Sequence, residues 1–223
     1  MEDVRAYEEL RAGFTAAVSH ELRTPLARLL ALLDTAELPG VDRDQLLAQA
    51  REQVEEMREL VDDVLFLSEL ESGREVVALG ATPARPVLDE VRVRLADSAE
   101  RADVSIVVDA PDEVELPLRR RMLQVVAENL AENALRYAGP GATLTLRVRP
   151  GLFEAADDGR GVEPDELSRL FERFYRGDRA RASRGTGLGL AIVKHVVVSA
   201  GGEVAASGGP GRGLQVRCTF PAP

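Results

Sequence analysis

Two different spacings of apolar residues divide this chain. Over the first third, apolar residues recur every three or four positions, which is the pattern of amphipathic helices. One helix is predicted from about Val4 to Ala36, after which Pro39-Gly40 turns the chain. Asp42 can cap a second helix that runs to about Ser72. The apolar stripe of this second helix consists of Leu46, Ala50, Val54, Met57, Val61, Val64 and Leu67.

The two helices predict an antiparallel hairpin. A single hairpin buries little apolar surface, and both of its helices carry an apolar stripe. We therefore expect it to pair with a second copy of itself in a dimeric four-helix bundle. The alternative is that the hairpin packs on the C-terminal part of its own chain.

Beyond residue 73 the pattern becomes a mixture of helices and strands. Residues 73–86 indicate a linker with one short strand, and helices are predicted near 87–101, 118–138 and 188–200. Strands are predicted at 104–108 and 143–148, a glycine-rich region begins at Asp157, and two strands close the chain. The last strand places Leu214, Val216, Cys218 and Phe220 on one face, so the thiol is expected to be buried. The fold class is α+β.

Composition narrows the function classes. The 223 residues have a formal net charge of -10, which argues against a nucleic-acid binder. The single cysteine excludes an intramolecular disulfide, and no zinc-ligand spacing is present. Neither a signal peptide nor an apolar run long enough for a membrane span occurs, so this part of the protein is expected to be soluble.

His20 lies in the middle of the first predicted helix. On a helical wheel its apolar sector contains Phe14, Val18, Leu22, Leu26, Leu29 and Leu33. His20 lies about 170° from the centre of that sector, so we expect its imidazole to point to water. Thr24, Ala27 and Ala31 border it and leave space for a large partner. Pro25 removes one backbone hydrogen bond and is expected to bend the helix.

Two features of the C-terminal part suit a nucleotide. Asn129, Asn133 and Arg136 lie close to one face of a helix, where amide oxygens four residues apart can ligate Mg²⁺ that already carries phosphates. Glycines at 185, 187 and 189 immediately precede a helix, whose first N–H groups can bind phosphate oxygens. The sequence has neither a P-loop pattern nor the dinucleotide glycine spacing.

Four motifs resemble one family, and the glycine-containing stretch of the phosphate site follows them along the chain. SHELRTPL at 19–26 resembles the phosphoacceptor motif of bacterial sensor histidine kinases. ENLAENALRY at 128–137 resembles the N box of the Bergerat-type ATP-binding fold, which these kinases share with type II topoisomerases. DDGRG at 157–161 matches the D-x-G-x-G pattern of that fold, FERFYR at 171–176 resembles the F box, and RGTGLGLAIVK at 184–194 follows.

The resemblance implies a role for each matching residue. His20 would accept a phosphoryl group from ATP, Glu21 would orient or deprotonate it, and Thr24 would position water for dephosphorylation. Asn133 would ligate Mg²⁺ with support from Asn129, and Asp157 would accept a hydrogen bond from the adenine amino group. The remaining nucleotide-binding residues would be Arg136, Tyr137, Gly159, Gly161, Arg176, Arg184, Gly185, Thr186, Gly187, Leu188 and Gly189. Arg179 and Arg181 are further candidates in an arginine-rich segment, interpreted as a lid.

The implied organisation has three parts. Residues 1–72 would be the dimerisation and phosphotransfer hairpin, 73–85 a linker, and 86–223 an α/β sandwich that binds ATP. The chain would phosphorylate itself and pass the phosphoryl group to an aspartate of a response regulator. It would be the cytoplasmic portion of a membrane-anchored bacterial receptor.

Two alternatives stay open. The first is an ATPase of the same fold, and the second is a catalytically inactive dimeric scaffold. Asparagine at 129, where ATP-hydrolysing members of the fold carry a glutamate base, argues against the ATPase.

Overall fold

The computed structural model of the chain describes residues 2–72, 80–177 and 185–221, with side chains from residue 15 onward. The chain divides into two compact units, Met1–Ser68 and Glu69–Pro223. The first unit is helical, and the second combines helices with two sheets. The α+β fold class predicted from the sequence is confirmed. Within the described ranges, no helix combines the length and hydropathy that a membrane span requires.

The N-terminal unit is the expected pair of long helices, α1 (Glu2–Ala36) and α2 (Arg43–Glu71). Gly40, with a φ of 80°, lies in the connecting turn. Asp42 caps α2 as predicted, because its Oδ1 accepts the Gln45 N–H at 3.0 Å. Helix α1 thus ends, and α2 begins, where the turn and cap signals of the sequence place them.

The apolar positions of α2 form two stripes, whereas the sequence predicts one. Positions 46, 50, 57, 60, 64 and 67 are buried or half-buried. Leu47, Val54, Val61 and Leu65 are exposed. Val54 and Val61, which belong to the apolar stripe predicted from the sequence, are therefore not covered within one chain. The seven-residue spacing of Leu47, Val54 and Val61 is that of a coiled-coil seam. Helix α1 also exposes Leu26, Leu30 and Leu33.

The described residues of the C-terminal unit form seven short strands. They are β1 (Thr82–Pro83), β2 (Ser105–Asp109), β3 (Glu115–Leu116), β4 (Thr143–Arg149), β5 (Leu152–Asp157), β6 (Glu203–Gly208) and β7 (Leu214–Thr219). The main sheet has the order β2-β4-β5-β7-β6, and β1 pairs with β3 in a small second sheet. Strands β2 and β4 are parallel, and the other neighbours in the main sheet are antiparallel.

Within residues 80–177 and 185–221, four helices accompany these strands. They are α3 (Ala84–Arg94), α4 (Ala96–Ala102), α5 (Arg120–Tyr137) and α6 (Gly189–Ser199). The single helix predicted at 87–101 is wrong, because the chain breaks at Leu95, where φ is -90° and ψ is 3°. Leu95 is buried, so packing of its side chain accompanies the break.

One face of the main sheet forms the core with α3, α5 and α6. Alternate residues of β4, which are Leu144, Leu146 and Val148, are buried on that face, as are Leu214, Val216 and Cys218 of β7. The predicted inward face of the last strand is confirmed. Burial raises the pKa of the Cys218 thiol to about 12.

A row of charged residues crosses four strands of the main sheet. Arg147 on β4 bonds both Asp109 on β2 and Glu154 on β5, each at 2.9 Å. Arg217 on β7 reaches Glu154 at 3.2 Å. The two arginines enclose Glu154, whose residue surface is only 3% exposed. Hydrogen bonds from Arg147 and Arg149 lower the pKa of Asp109 below its ordinary value. This row of Asp109, Arg147, Glu154 and Arg217 is called the charge ladder.

Candidate functional site

The first candidate group lies midway along α1. His20 is exposed, as the helical-wheel argument predicts, and Thr24, Ala27 and Ala31 on the following turns are exposed as well. The Ser19 hydroxyl donates to the carbonyl of Thr15 at 2.9 Å, so it is engaged by its own helix. The imidazole is therefore placed where a partner can approach it from solvent.

Two neighbours of His20 have distinct environments. Glu21 is half-buried, and Pro25 is buried inside the continuous helix. Consecutive residues of a helix point about 100° apart, so Glu21 lies between the exposed face of His20 and the apolar face of the helix. Pro25 has no N–H to donate to the carbonyl of Glu21, which leaves that carbonyl without its helical partner. The bend expected at Pro25 remains a prediction.

The second candidate group begins on α5. One side of this helix is apolar and buried, through Met122, Leu123, Val126, Ala127, Leu130, Ala131 and Ala134. Asn129 and Asn133 lie at the half-buried border of this side. The Asn129 Nδ2 donates to the carbonyl of Val125 at 2.9 Å. This bond leaves Oδ1 of Asn129 as the group that faces outward from the helix.

The three alternate glycines between residues 185 and 189 contact three different neighbours. A Cβ at Gly185 would lie 2.8 Å from Arg136 Nη1 and 3.2 Å from the Tyr137 hydroxyl. At Gly187 it would lie 2.9 Å from the Phe174 backbone, and at Gly189 it would lie 2.5 Å from Asn129 Oδ1. The absence of these three side chains therefore allows the segment to lie between α5 and residue 174. We call residues 185–189 the glycine loop.

The glycine loop leads directly into the N-terminus of α6. The Leu188 N–H donates to the Thr186 hydroxyl at 3.2 Å, and the Leu188 side chain is fully buried. The Leu188 N–H, which precedes the helix, is therefore engaged within the loop. The first N–H groups of α6 remain those that a helix leaves without internal partners, and they carry its positive dipole end.

Asp157 ends β5 and is held by backbone N–H groups. Its Oδ1 accepts from Gly159 at 3.0 Å and from Leu214 at 3.3 Å, so neither bond uses Oδ2. Burial raises the pKa of Asp157 above its ordinary value, and the two N–H bonds oppose that shift. The carboxylate thus has a fixed orientation and one oxygen outside these two bonds.

Glycines around Asp157 allow backbones to touch each other. A Cβ at Gly159 would collide with the Ala138 carbonyl, and one at Gly161 would collide with Gly209. The family resemblance assigns Gly159 and Gly161 to nucleotide binding. The structure shows that they are required for packing of the protein itself.

Sequence reasoning missed the contribution of the loop between β6 and β7. A Cβ at Gly213 would collide with the Asp157 carbonyl, and the Gly213 N–H donates to Gly159 at 3.0 Å. The available signal was the glycine-rich run GGPGRG at 208–213. This loop therefore supports the Asp157 turn from outside the D-x-G-x-G motif.

The F-box segment lies against the glycine loop. Phe174 donates its N–H to the carbonyl of Gly187 at 2.9 Å. Arg176 is half-buried at the end of this segment. Arg179, Arg181 and Arg184, together with the proposed lid, fall outside the described residues.

Three separate motifs converge at the C-terminal end of α5. Arg136 and Tyr137 contact the glycine loop at Gly185. The Arg160 N–H of the D-x-G-x-G segment donates to the Ala138 carbonyl at 2.9 Å, one residue beyond the helix. Arg136 is also 3.6 Å from Glu132. His20 belongs to the other unit.

Two family descriptions match the chain, one for each unit. Residues 10–73 match the His Kinase A (phospho-acceptor) domain. Residues 119–223 match the Histidine kinase-, DNA gyrase B-, and HSP90-like ATPase family.

Individual proteins agree with these matches. The sensor-like histidine kinase SenX3 of Mycobacterium tuberculosis is 33% identical over 230 residues, covering 99% of this chain but 56% of SenX3. The structure of full-length ShkA in complex with AMPPNP is 29% identical, with a TM-score of 0.61 over 93% of this chain and 46% of that one. The histidine kinase ThkA in complex with the response regulator TrrA has a TM-score of 0.76 at 17% identity, over 98% of this chain and 64% of that chain. The ThkA likeness concerns the fold alone.

Proposed function

Because this chain belongs to the bacterial sensor histidine kinases, we propose that it transfers the γ-phosphoryl group of ATP to His20 and then to an aspartate of a response regulator. The chain spans 56% of the length of SenX3, so the activity of the whole protein is part of this proposal. The observation that carries it is the convergence of the α5 polar face, the glycine loop and the Asp157 turn. An exposed histidine on a separate helical unit provides the acceptor.

The Asp157 turn suits the adenine ring. Oδ1 of Asp157 is held by two backbone N–H groups, so its carboxylate cannot rotate freely. We assign Oδ2 to accept the adenine amino group, with Gly159 and Gly161 keeping the surrounding backbones closely packed. A fixed acceptor loses little orientational freedom on binding.

The phosphates are assigned to the opposite end of the site. The N–H groups at the start of α6 supply a positive dipole end, and Arg136 lies beside Gly185. Tyr137, Gly187 and Gly189 shape this end. Thr186 and Leu188 act by fixing the loop, since the Thr186 hydroxyl accepts the Leu188 N–H. Arg176 and Arg184 remain assigned from the sequence motif.

The donor set on α5 fits Mg²⁺ that is already bound to phosphate. Among the described residues, no group of three or more His, Cys, Asp or Glu side chains could hold a metal ion. The amide oxygens of Asn133 and Asn129 are neutral hard ligands, which suit a cation whose charge is largely balanced by phosphates. Bound Mg²⁺ would neutralise charge on the transferred phosphoryl group.

Transfer requires positioning more than covalent assistance from the protein. A ring nitrogen of His20 forms a bond to the γ-phosphorus, while the bond from that phosphorus to the bridging oxygen breaks and ADP leaves. We assign Glu21 to orient the imidazole or take its proton. We assign Thr24 to position a water molecule for the reverse activity, which is dephosphorylation.

The state of Asn129 argues against the ATPase alternative. Its amide nitrogen is bound to the carbonyl of Val125, and the side chain carries no general base. Water near the γ-phosphate would therefore lack the activation that a carboxylate at this position provides. Phosphoryl transfer to His20 is the reaction that this site supports better.

The exposed apolar seam of the hairpin supports a homodimer. Leu47, Val54 and Val61 repeat every seven residues and are more than 40% exposed in one chain. A second hairpin would cover them in a four-helix bundle. The response regulator is proposed to dock at the small residues beside His20. By analogy with the named sensor relatives, the whole protein is proposed to be membrane-anchored, with this part in the cytoplasm.

The decisive test is labelling with γ-phosphate-labelled ATP and Mg²⁺. The unaltered chain should acquire a label that is stable to base and labile to acid, and His20→Gln should abolish it. His195→Gln is the matched control, because His195 is the other histidine and lies on α6 outside the assigned residues. Equal labelling of His20→Gln and the unaltered chain would overturn the proposal.

A further inference from the structure

Phe174 has an unusual backbone conformation. Its φ is 61°, and in the described part of the chain the only other residue besides glycine with a positive φ is Asp103. Aspartate occurs in this left-handed region comparatively often, whereas a bulky aromatic residue is a true outlier there. Such strain persists only where the surrounding structure holds it in place.

The glycine loop supplies that restraint. The Phe174 N–H donates to the Gly187 carbonyl at 2.9 Å. Gly187 itself has a φ of 70°, and a Cβ there would lie 2.9 Å from both Cα and the carbonyl carbon of Phe174. Two left-handed residues thus meet backbone to backbone. We call this contact the 174–187 clip.

The clip occupies the middle of the glycine loop. Gly185 and Gly189, on either side of Gly187, contact side chains of α5. The Phe174 backbone contacts the loop from a different segment, so the loop is held from two directions. Its path into α6, and with it the direction of the first helical N–H groups, depends on both.

We propose that Phe174 is a positioning residue, whose left-handed backbone holds Gly187 and thereby orients the glycine loop for the phosphates of ATP before the nucleotide arrives. This inference rests on the proposed nucleotide function. A loop that is ordered in advance loses less conformational freedom when the ligand binds. If only a fraction of the molecules has the clip formed, the apparent dissociation constant is the intrinsic one divided by that fraction.

The strain at residue 174 offers a direct test. Phe174→Gly and Phe174→Ala both remove the phenyl ring and keep the N–H, but only glycine adopts a positive φ without cost. If the backbone positions the loop, Phe174→Gly should bind a fluorescent ATP analogue with Mg²⁺ about tenfold more tightly than Phe174→Ala. A purely structural role of the ring would give both variants the same dissociation constant.

The partner glycine gives a second test with a matched control. Gly187→Ala and Gly141→Ala both place a side chain at positive φ, 70° and 79°, but the space around Gly141 is open. We expect Gly187→Ala to raise the dissociation constant at least tenfold and Gly141→Ala to leave it within about twofold. Thermal unfolding midpoints of both variants, measured on the full chain, will report how much stability each loses to backbone strain.

The outcomes separate the two proposals. An unaltered chain that binds no analogue overturns the nucleotide function and this inference with it. If the unaltered chain binds but Phe174→Gly and Phe174→Ala bind equally, the clip has no positioning role and only this inference is overturned. Partial rescue of Gly187→Ala by Phe174→Gly would give further support, because a glycine at position 174 lets that backbone move away from the added Cβ at position 187.

Discussion

Asp157→Asn tests the adenine end of the site without removing its local hydrogen bonds. An asparagine Oδ1 can still accept the N–H groups of Gly159 and Leu214. The second position becomes an NH₂ group, which would face the adenine amino group with donor against donor. A hydrogen bond to a charged acceptor contributes roughly 1.5–3 kcal/mol, so we expect ATP affinity to fall by about 10- to 150-fold.

Stability should change in the opposite direction to binding. Burial raises the pKa of Asp157, so the folded state favours the protonated form and the ionised form opposes folding at neutral pH. Asparagine carries no charge and removes that cost. We therefore expect Asp157→Asn to be at least as stable as the unaltered chain in a urea titration. Weak binding could not then be attributed to unfolding.

The neighbouring Asp158→Asn is the matched control. Asp158 is exposed, and its Oδ1 accepts the Thr143 N–H at 2.6 Å, which asparagine can also do. We expect its affinity for ATP to stay within about twofold of the unaltered chain. Titration calorimetry with a non-hydrolysable ATP analogue measures both variants. An affinity of Asp157→Asn within twofold of the unaltered chain would refute the assignment of Asp157 to adenine.

Three further results are expected. Val54→Glu combined with Val61→Glu should convert a dimer to a monomer in sedimentation, because each chain would bring two carboxylates into an apolar seam. The control Glu56→Gln should leave the dimer intact, and a persistent dimer of the double variant would place the interface elsewhere. Two arginines lower the pKa of Asp109, so the stability that its ionised form contributes is present above its unfolded pKa and is lost as the pH falls through its lower folded pKa. Asp109→Asn should therefore make the free energy of unfolding depend less on pH between these two pKa values. An unchanged pH profile would count against the charge ladder. Cys218, with its pKa raised to about 12, should react with iodoacetamide at pH 8 only after denaturation, and rapid labelling of the native chain would contradict its burial.

The long helices and the strand alternation could be predicted because each depends on neighbours close in sequence. The turn at Pro39-Gly40 and the cap at Asp42 are local signals, and the alternation through Cys218 needs only a period of two. The division of α2 into two stripes was not predicted. Val54 is exposed and Val64 is half-buried because of what packs against each, and periodicity alone does not distinguish a filled seam from an open one.

The candidate site, too, could be predicted only as far as local sequence determines it. Motif order identified Asn129, Asp157 and Gly187 as members of one site, yet it gave no information on which of them touch. The clip to Phe174 and the support from Gly213 depend on contacts between segments distant along the chain. A positive φ at a phenylalanine runs against local preference, so no rule based on residue type would have indicated it.

The alternating glycines at 185, 187 and 189 tie three motifs to one another through missing side chains. Residues of α5 and the backbone of Phe174 occupy the space that side chains at these glycines would need, so none of the three motifs is an independent module. Chimaeras between relatives should therefore tolerate exchange of the whole ensemble, from α5 through the start of α6, better than transfer of the glycine segment alone. Within the family, we therefore expect a substitution at one of these glycines to be accompanied by a substitution at the residue that packs against it.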